Sequence, residues 1–266
     1  MGIKNLLTNV YNLMTLFGLD PVKTIQTTRG IPYYLRDLSK LKKQQKDSDV
    51  NFDFGRPYPC LSDRLAQSGK ASGHYFHQDL LVARRIFLNK PNFHVDIGSR
   101  IDGFVAHVAS FREIEVFDIR ELKGSIPNVK FIGADLMGNI DNALVNYCDS
   151  LSCLHALEHF GLGRYGDAVR FDGYIIGMNN MHAILKRGGK FYLSVPIGPQ
   201  RIEFNAHRVF SLKYMLSLLK QKFKIDVFSF VNDKGDLFEN VELTEKDVDR
   251  NFGCFYGCGI WEMTKL

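Results

Sequence analysis

Between residues 93 and 195, short apolar runs recur with helix-like segments between most of them, and this alternation limits the chain's choice of fold more than any other feature. The runs are FHVDI at 93–97, IEVFDI at 114–119, VKFI at 129–132, SLSCL at 150–154 and KFYLSV at 190–195. Their β-branched and aromatic content marks them as strands. Helical segments are expected at about 104–111 and about 171–186, the second stopping at Arg187-Gly188-Gly189 as helices do. Strand and helix in turn imply an α/β fold, an open and mostly parallel sheet with helices on both faces. Two further runs, KIDVFSFV at 224–231 and CFYGCGIWEM at 254–263, follow a helix at about 211–221. No obvious long helix joins them, so an antiparallel closing pair at the sheet edge is expected, for seven strands in total. The polar stretch 232–253 reads as a short helix or a long loop.

The pattern changes near residue 90. Before it, helical stretches at 4–17, about 32–45 and 78–89 alternate with turn-rich sequence such as Phe54-Gly55-Arg56-Pro57-Tyr58-Pro59. Two regions are therefore expected: a helical cap or lid over 1–89 and the sheet domain over 90–266. In the first helix Leu6, Leu7, Val10, Leu13, Met14 and Phe17 share one face, and Asn5, Asn9 and Asn12 lie opposite. That face is expected to pack on the rest of the chain or on a second copy in a homodimer, with a membrane surface as the alternative.

A chain of 266 residues buries enough surface to be stable without disulfides or a structural metal, so any metal would be functional. Five cysteines, at 60, 148, 153, 254 and 258, are odd in number and scattered, which suits reduced thiols in a cytoplasmic protein. No apolar run approaches the roughly 18 residues of a membrane span, and no secretory leader is evident. The net charge of +5 is mild and does not call for nucleic acid. Lys40, Lys42, Lys43 and Lys46 form the densest basic stretch, read as a solvated helix end or, alternatively, a phosphate or acidic-lipid patch.

In an open parallel sheet, ligands bind beyond the carboxyl ends of the strands. Here three consecutive strand ends carry an acid. Asp96 precedes a tight turn in VDIGSRIDG, Asp118 closes the second strand in EVFDIR, and Asp135 follows the third in GADL. Singly, each reads equally well as a helix cap; the series suggests a nucleotide-binding rim.

These landmarks, with LSCLHALEHF at the fourth strand and LKRGGKFYLSVP at the fifth, resemble the class I S-adenosylmethionine-dependent methyltransferases over about residues 93–200. Within that superfamily, GKASGHYFHQDLLVARRI at 69–86 is most similar to a group of methyltransferase-like proteins often encoded among bacterial surface-glycan genes. The resemblance implies a Rossmann-like sheet, S-adenosyl-L-methionine as cofactor, and O-methylation of a sugar or glycan precursor in polysaccharide biosynthesis. It places Gly98 and Ser99 in the cofactor turn and has Asp96 orient the cofactor's amino group. Asp118 would grip the ribose hydroxyls, while Asp135 and the Leu136 backbone would meet the adenine edge. Arg100 replaces the middle glycine of the family's turn and Gly103 arrives one residue late. That departure motivates a second reading, a methyltransferase-like protein that binds a glycan or protein partner without turnover.

For catalysis, His155, His159 and His207 are the candidates, since histidine titrates in the range a general base needs. No residue set is assigned to a metal, although Mg²⁺ held partly by Glu158 and His159 fits the resemblance. His155-Ala156-Leu157-Glu158-His159 also matches the H-x-x-E-H pattern of inverted zinc peptidases, whose two histidines need one long helix. Gly161, Leu162 and Gly163 interrupt such a helix. His74, Tyr75, His77 and Gln78 are read either as a lid over the cofactor or as the cap of the helix from 78.

Overall fold

A computed structural model describes residues 3–50 and 52–266. The chain divides into two compact units, one ending at Lys70 and one spanning Ala71–Leu266. The division falls earlier than the expected 89/90. Helix α3 (His74–Asn89) buries Leu81, Val82 and Ile86 in the core beside the sheet, so it belongs with the second unit.

In the first unit, α1 (Ile3–Leu16) is followed by α2 (Pro21–Lys46), longer than the expected 32–45. Asp20 caps α2 by accepting from Lys23 N at 2.9 Å, and Pro21 stands where its missing N–H costs nothing. Gly30 is buried because a Cβ there would lie 1.8 Å from the Leu61 carbonyl oxygen, so only glycine lets that segment run against the helix. Val10 and Leu13 of α1 and Phe17 just after it are exposed, and the side chains of Leu6 and Leu7 lie outside the described residues. Lys40, Lys42, Lys43 and Lys46 are exposed at the carboxyl end of α2, where cations suit the helix dipole.

The second unit is built on strands β1 (His94–Ile97), β2 (Ile114–Asp118), β3 (Val129–Gly133), β4 (Cys148–Leu154), β5 (Leu185–Ile197), β6 (Arg201–Glu203), β7 (His207–Val209), β8 (Phe223–Val231), β9 (Leu237–Phe238) and β10 (Gly257–Lys265). The main sheet has eight strands in the order β3-β2-β1-β4-β5-β10-β8-β9, and β6 and β7 form a separate hairpin. All seven expected strands are present; the count of seven is corrected to ten among the described residues by the two-residue edge strand β9 and the β6–β7 hairpin. β10 is antiparallel to both β5 and β8 and is inserted between them, so the expected antiparallel pair does not close the edge with its last strand.

The helices are a π-helical turn at Ile101–Val105 leading into α4 (Ala106–Ala109), then α5 (Gly173–Ile184), α6 (Leu212–Leu219) and the short α7 (Glu245–Asp249). On one face of the sheet, Met178, Met181, Leu212 and Met215 pack on Val95, Leu151, Phe191, Leu193 and Trp261. On the other, α3 and the segment 101–109 cover Val116, Leu154, Tyr192 and Ile260. Phe191 and Tyr192, adjacent in β5, enter opposite cores, which is the period-2 alternation of a strand buried on both faces. The result is a three-layer, Rossmann-like α/β unit.

Strand register decides which polar side chains meet inside the sheet. β1 pairs in parallel with β4 so that His94 lies opposite Ser150 and Asp96 opposite Ser152. The chain order reverses direction between β1 and β4, and at such a switch point the strand ends leave a crevice.

Candidate functional site

A cleft opens beyond the carboxyl ends of β1, β2, β3 and β4. Its walls include Ile97, Gly98, Asp118, Asp135, Leu136, His155, His159 and Phe160, and it holds about 780 Å³ of space counted to its solvent-facing mouth. Gly98 takes φ +65°, a left-handed conformation that glycine adopts without strain. A Cβ at this position would approach Ala156 Cβ at 3.2 Å and face Asp118 Oδ2 at 4.0 Å, so the bare backbone keeps the floor of the cleft open.

The expected cofactor residues divide into two groups. Gly98, Asp118, Asp135 and Leu136 line the cleft; Asp96 and Ser99 do not. Asp96 is fully buried and accepts from Ser99 N at 3.0 Å, Ser99 Oγ at 2.6 Å and Ser152 Oγ at 2.5 Å. Burial pushes its carboxyl up to about 6, against the lowering by the Ser152 and Ser99 hydrogen bonds. Ser99 Oγ in turn accepts from Leu154 N at 3.1 Å. The pair ties the β1 turn to β4 and so fixes where Gly98 stands.

Asp118 already has a partner. Arg120 donates to it from the backbone N at 2.8 Å, from Nε at 3.0 Å and from Nη2 at 2.5 Å, and its guanidinium lies 4.5 Å from the Tyr165 ring centroid. Asp135 is exposed and accepts from Met137 N at 2.8 Å, which shapes the turn that presents the Leu136 backbone. Arg100, the residue replacing the usual glycine, turns to Asp102 at 2.8 Å and covers the Tyr75 ring. The late Gly103 has a packing reason: a Cβ there would fall 2.5 Å from Asp79 Oδ2.

At the end of β4, His155 takes φ +50°, uncommon for a residue with a Cβ, and its N donates to Ser194 O at 3.0 Å. Its Nδ1 lies 2.6 Å from Glu158 Oε1, and both side chains are buried. Burial alone would lower the imidazole pKa, but facing Cys258 and Glu158 raises it well above the ordinary value. Residues Leu157–His159 form a single 3₁₀ turn, so His155 and His159 do not share a helical face and the zinc-peptidase arrangement is absent.

His159 lines the cleft, with Nδ1 2.7 Å from the Ala206 carbonyl oxygen and Nε2 3.8 Å from Glu158 Oε1; burial lowers its pKa. His207 is not brought into the cleft. It sits in β7 against Tyr256, with Nε2 3.1 Å from Glu203 Oε2. His74 and Tyr75 cover His155, at ring separations of 5.1 and 5.0 Å. Gln78 is buried and accepts from Ser194 Oγ at 2.6 Å, and His77 stands beside Phe76. Helix α3 starts at His74 rather than at 78, and Gly73 supplies its N-cap position.

Sequence reasoning missed Arg120 and Tyr165. Arg120 lies inside the EVFDIR run, but the sequence does not tell whether the turn after β2 folds back on the acid. Tyr165 is carried by a loop that Asp167 organises by accepting from the N–H groups of Gly161, Gly163 and Tyr165. The clustered glycines of GLGRYGD are the signal that could have found it.

No curated protein matches the chain in sequence. Among solved structures, the cyclase SpnF is similar with a TM-score of 0.51 at 15% identity, over 71% of this chain and 80% of that one. The N-methyltransferase NodS from Bradyrhizobium japonicum WM9, in complex with S-adenosyl-L-homocysteine, gives a TM-score of 0.47 at 10% identity, over 73% of this chain and 88% of its own. A Burkholderia thailandensis 1,6-didemethyltoxoflavin-N1-methyltransferase gives 0.48 at 18%, over 70% and 78%. At such identities the likeness concerns the fold. In sequence, the family described as "Caenorhabditis protein of unknown function, DUF268" matches residues 114–252, more than half of the chain, and the chain belongs to that family.

Proposed function

We propose that the chain is an S-adenosylmethionine-dependent methyltransferase acting on an oxygen of a sugar or surface-glycan precursor. One observation carries the reading: Gly98 in its left-handed turn, the Asp118 carboxylate and the Asp135–Leu136 step meet in one cleft at the switch point of the sheet. These groups match the parts of an adenosyl ligand. A carboxylate can accept from both ribose hydroxyls, the bare backbone at Gly98 admits the amino-acid portion, and Phe117, Ile119, Leu136 and Phe160 make an apolar slot for a base. Bound there, the cofactor would supply an electrophilic methyl group. Mg²⁺ fits less well, because Glu158 and His159 offer one carboxylate and one imidazole where that ion takes mostly oxygen ligands.

The chain's own part would be positioning and proton acceptance. His159 donates an Nδ1–H hydrogen bond to the Ala206 carbonyl, which leaves the Nε2 lone pair to take a hydroxyl proton, and its lowered pKa keeps the ring neutral. His155, held by Glu158, would shape the wall of the cleft beside the acceptor. His207 is given no step. The sugar acceptor is supported by resemblance alone. A cytoplasmic location is supported by five free cysteines, four of them buried, and a homodimer through α1 by the exposure of Val10, Leu13 and Phe17. No helix among the described residues is long and apolar enough to cross a membrane.

The Arg120 ion pair on Asp118 favours the second reading, a binding protein without turnover. Thermal unfolding with S-adenosylhomocysteine separates the two. The enzyme reading expects stabilisation by this ligand but not by NAD, lost in Asp118→Ala and kept or increased in Arg120→Ala. It also expects His159→Ala to retain ligand binding while methyl incorporation into a glycan extract drops by about 10²-fold or more. A wild-type chain that S-adenosylhomocysteine leaves unchanged would overturn the enzyme reading.

A further inference from the structure

Beside the cleft, three potential metal ligands converge that none of the proposed steps uses together. His74 starts α3, His155 directly follows β4 and Cys258 lies near the start of β10; their ligating atoms all lie within 4.8 Å of one another. Cys258 is fully buried and His155 nearly so, and His155 Nε2 is a buried nitrogen with no hydrogen-bond partner among the described residues. We propose that His74, His155 and Cys258 bind a thiophilic divalent transition metal of the zinc class.

The donor set selects the ion. One thiolate and two imidazoles form the mixed N/S set that suits zinc and cobalt and disfavours magnesium or calcium. Three protein ligands leave one tetrahedral position open, and His155 also lines the cleft, so the open position can serve a cleft ligand. The surroundings complete the arrangement. Glu158 Oε1 holds His155 Nδ1 at 2.6 Å, the carboxylate–histidine–metal pattern that fixes the tautomer and directs Nε2 to the ion. The Tyr256 ring packs beside His74, with centroids 5.3 Å apart.

Charge agrees as well. A divalent cation here would face the Cys258 thiolate and the Glu158 carboxylate, two negative charges that neutralise it inside a buried site. Metal binding would release the Cys258 thiol proton to solvent. A reactive-cysteine role is disfavoured because Cys258 is completely inaccessible.

The full chain, stripped with a chelator and titrated with Co²⁺ alone, tests this. One equivalent should bind with the visible bands of a tetrahedral site and a near-ultraviolet thiolate-to-cobalt band, and Zn²⁺ should displace it. Cys258→Ser should abolish the thiolate band, His74→Ala and Glu158→Gln should each weaken binding about 10- to 100-fold, and Cys148→Ser should change neither. Should a variant fail to fold, the wild type decides alone: Zn²⁺ raises its unfolding midpoint, and the thiolate band appears at one equivalent. Absence of stoichiometric Co²⁺ uptake by the folded chain overturns the proposal, as does a thiolate band that survives Cys258→Ser.

Discussion

His94 and Asp96 share one face of β1 and one intermediary, Ser152. Its Oγ lies 3.1 Å from His94 Nε2 and donates to Asp96 Oδ1, while Ser150 Oγ lies 2.8 Å from His94 Nδ1. Burial drives the two groups in opposite directions, His94 down to about 3 and Asp96 up to about 6. Between pH 6.5 and 3 the unfolded chain binds a proton at His94 that the native state refuses, so stability falls with acidification by about 1.4 kcal/mol per unit. Between pH 6 and 3.8 the native state holds a proton at Asp96 that the unfolded chain has released, and stability rises with acidification at the same slope. The two nearly cancel between pH 6 and 4. Asp96→Asn removes the second effect, so the variant should lose about 3 kcal/mol relative to wild type over that range in urea denaturation. Parallel pH profiles for the two proteins would refute the pairing. The acid at 96 was legible in the sequence as a strand-end residue. Its partners were not, because they come from a strand paired through a register that only the folded sheet defines.

At the scale of elements, the strands and the main helices were legible because their periodicities are strong, and the exceptions have physical reasons. The hairpin β6–β7 was missed since RIE and HRV carry little of the apolar signal of a strand and are joined by Phe204-Asn205-Ala206. The position of β10 was missed because insertion between β5 and β8 is a long-range choice. Its residues show why it is central. Trp261 is fully buried in one core, and Gly259, two residues away on the same face, clears space for the ring: a Cβ there would meet Trp261 Cη2 at 2.4 Å. The indole N–H has no partner among the described residues. Trp261→Ala should cost about 3–5 kcal/mol through the cavity it leaves. Trp261→Phe should cost within about 1 kcal/mol, because losing an unpaired buried N–H, itself worth about 1–3 kcal/mol, offsets much of the lost packing. Circular-dichroism-monitored urea denaturation measures both, and equal losses in the two variants would mean the indole nitrogen has an unrecognised partner.

On the scale of the whole molecule, the division at Lys70/Ala71 carries its own expectation. Both hydrophobic cores draw all their members from residues 81–263, on the two faces of one sheet, and the cleft and the His74–His155–Cys258 cluster lie within the same unit. A unit that contains its own cores can fold without the other. The segment before it offers a protease little protection, since residues 66–71 are exposed and lack helix or strand. Limited proteolysis should therefore cut between residues 66 and 73 and leave a resistant carboxyl-terminal product. That product, expressed as residues 71–266, should retain the cooperative unfolding transition of the sheet unit and the stabilisation by S-adenosylhomocysteine expected of the full chain. The two readouts distinguish different failures. A fragment that unfolds without a cooperative transition would show that the first unit is needed to build the second, whereas a fragment that folds but loses a ligand response seen in the full chain would assign part of the binding to residues before Ala71.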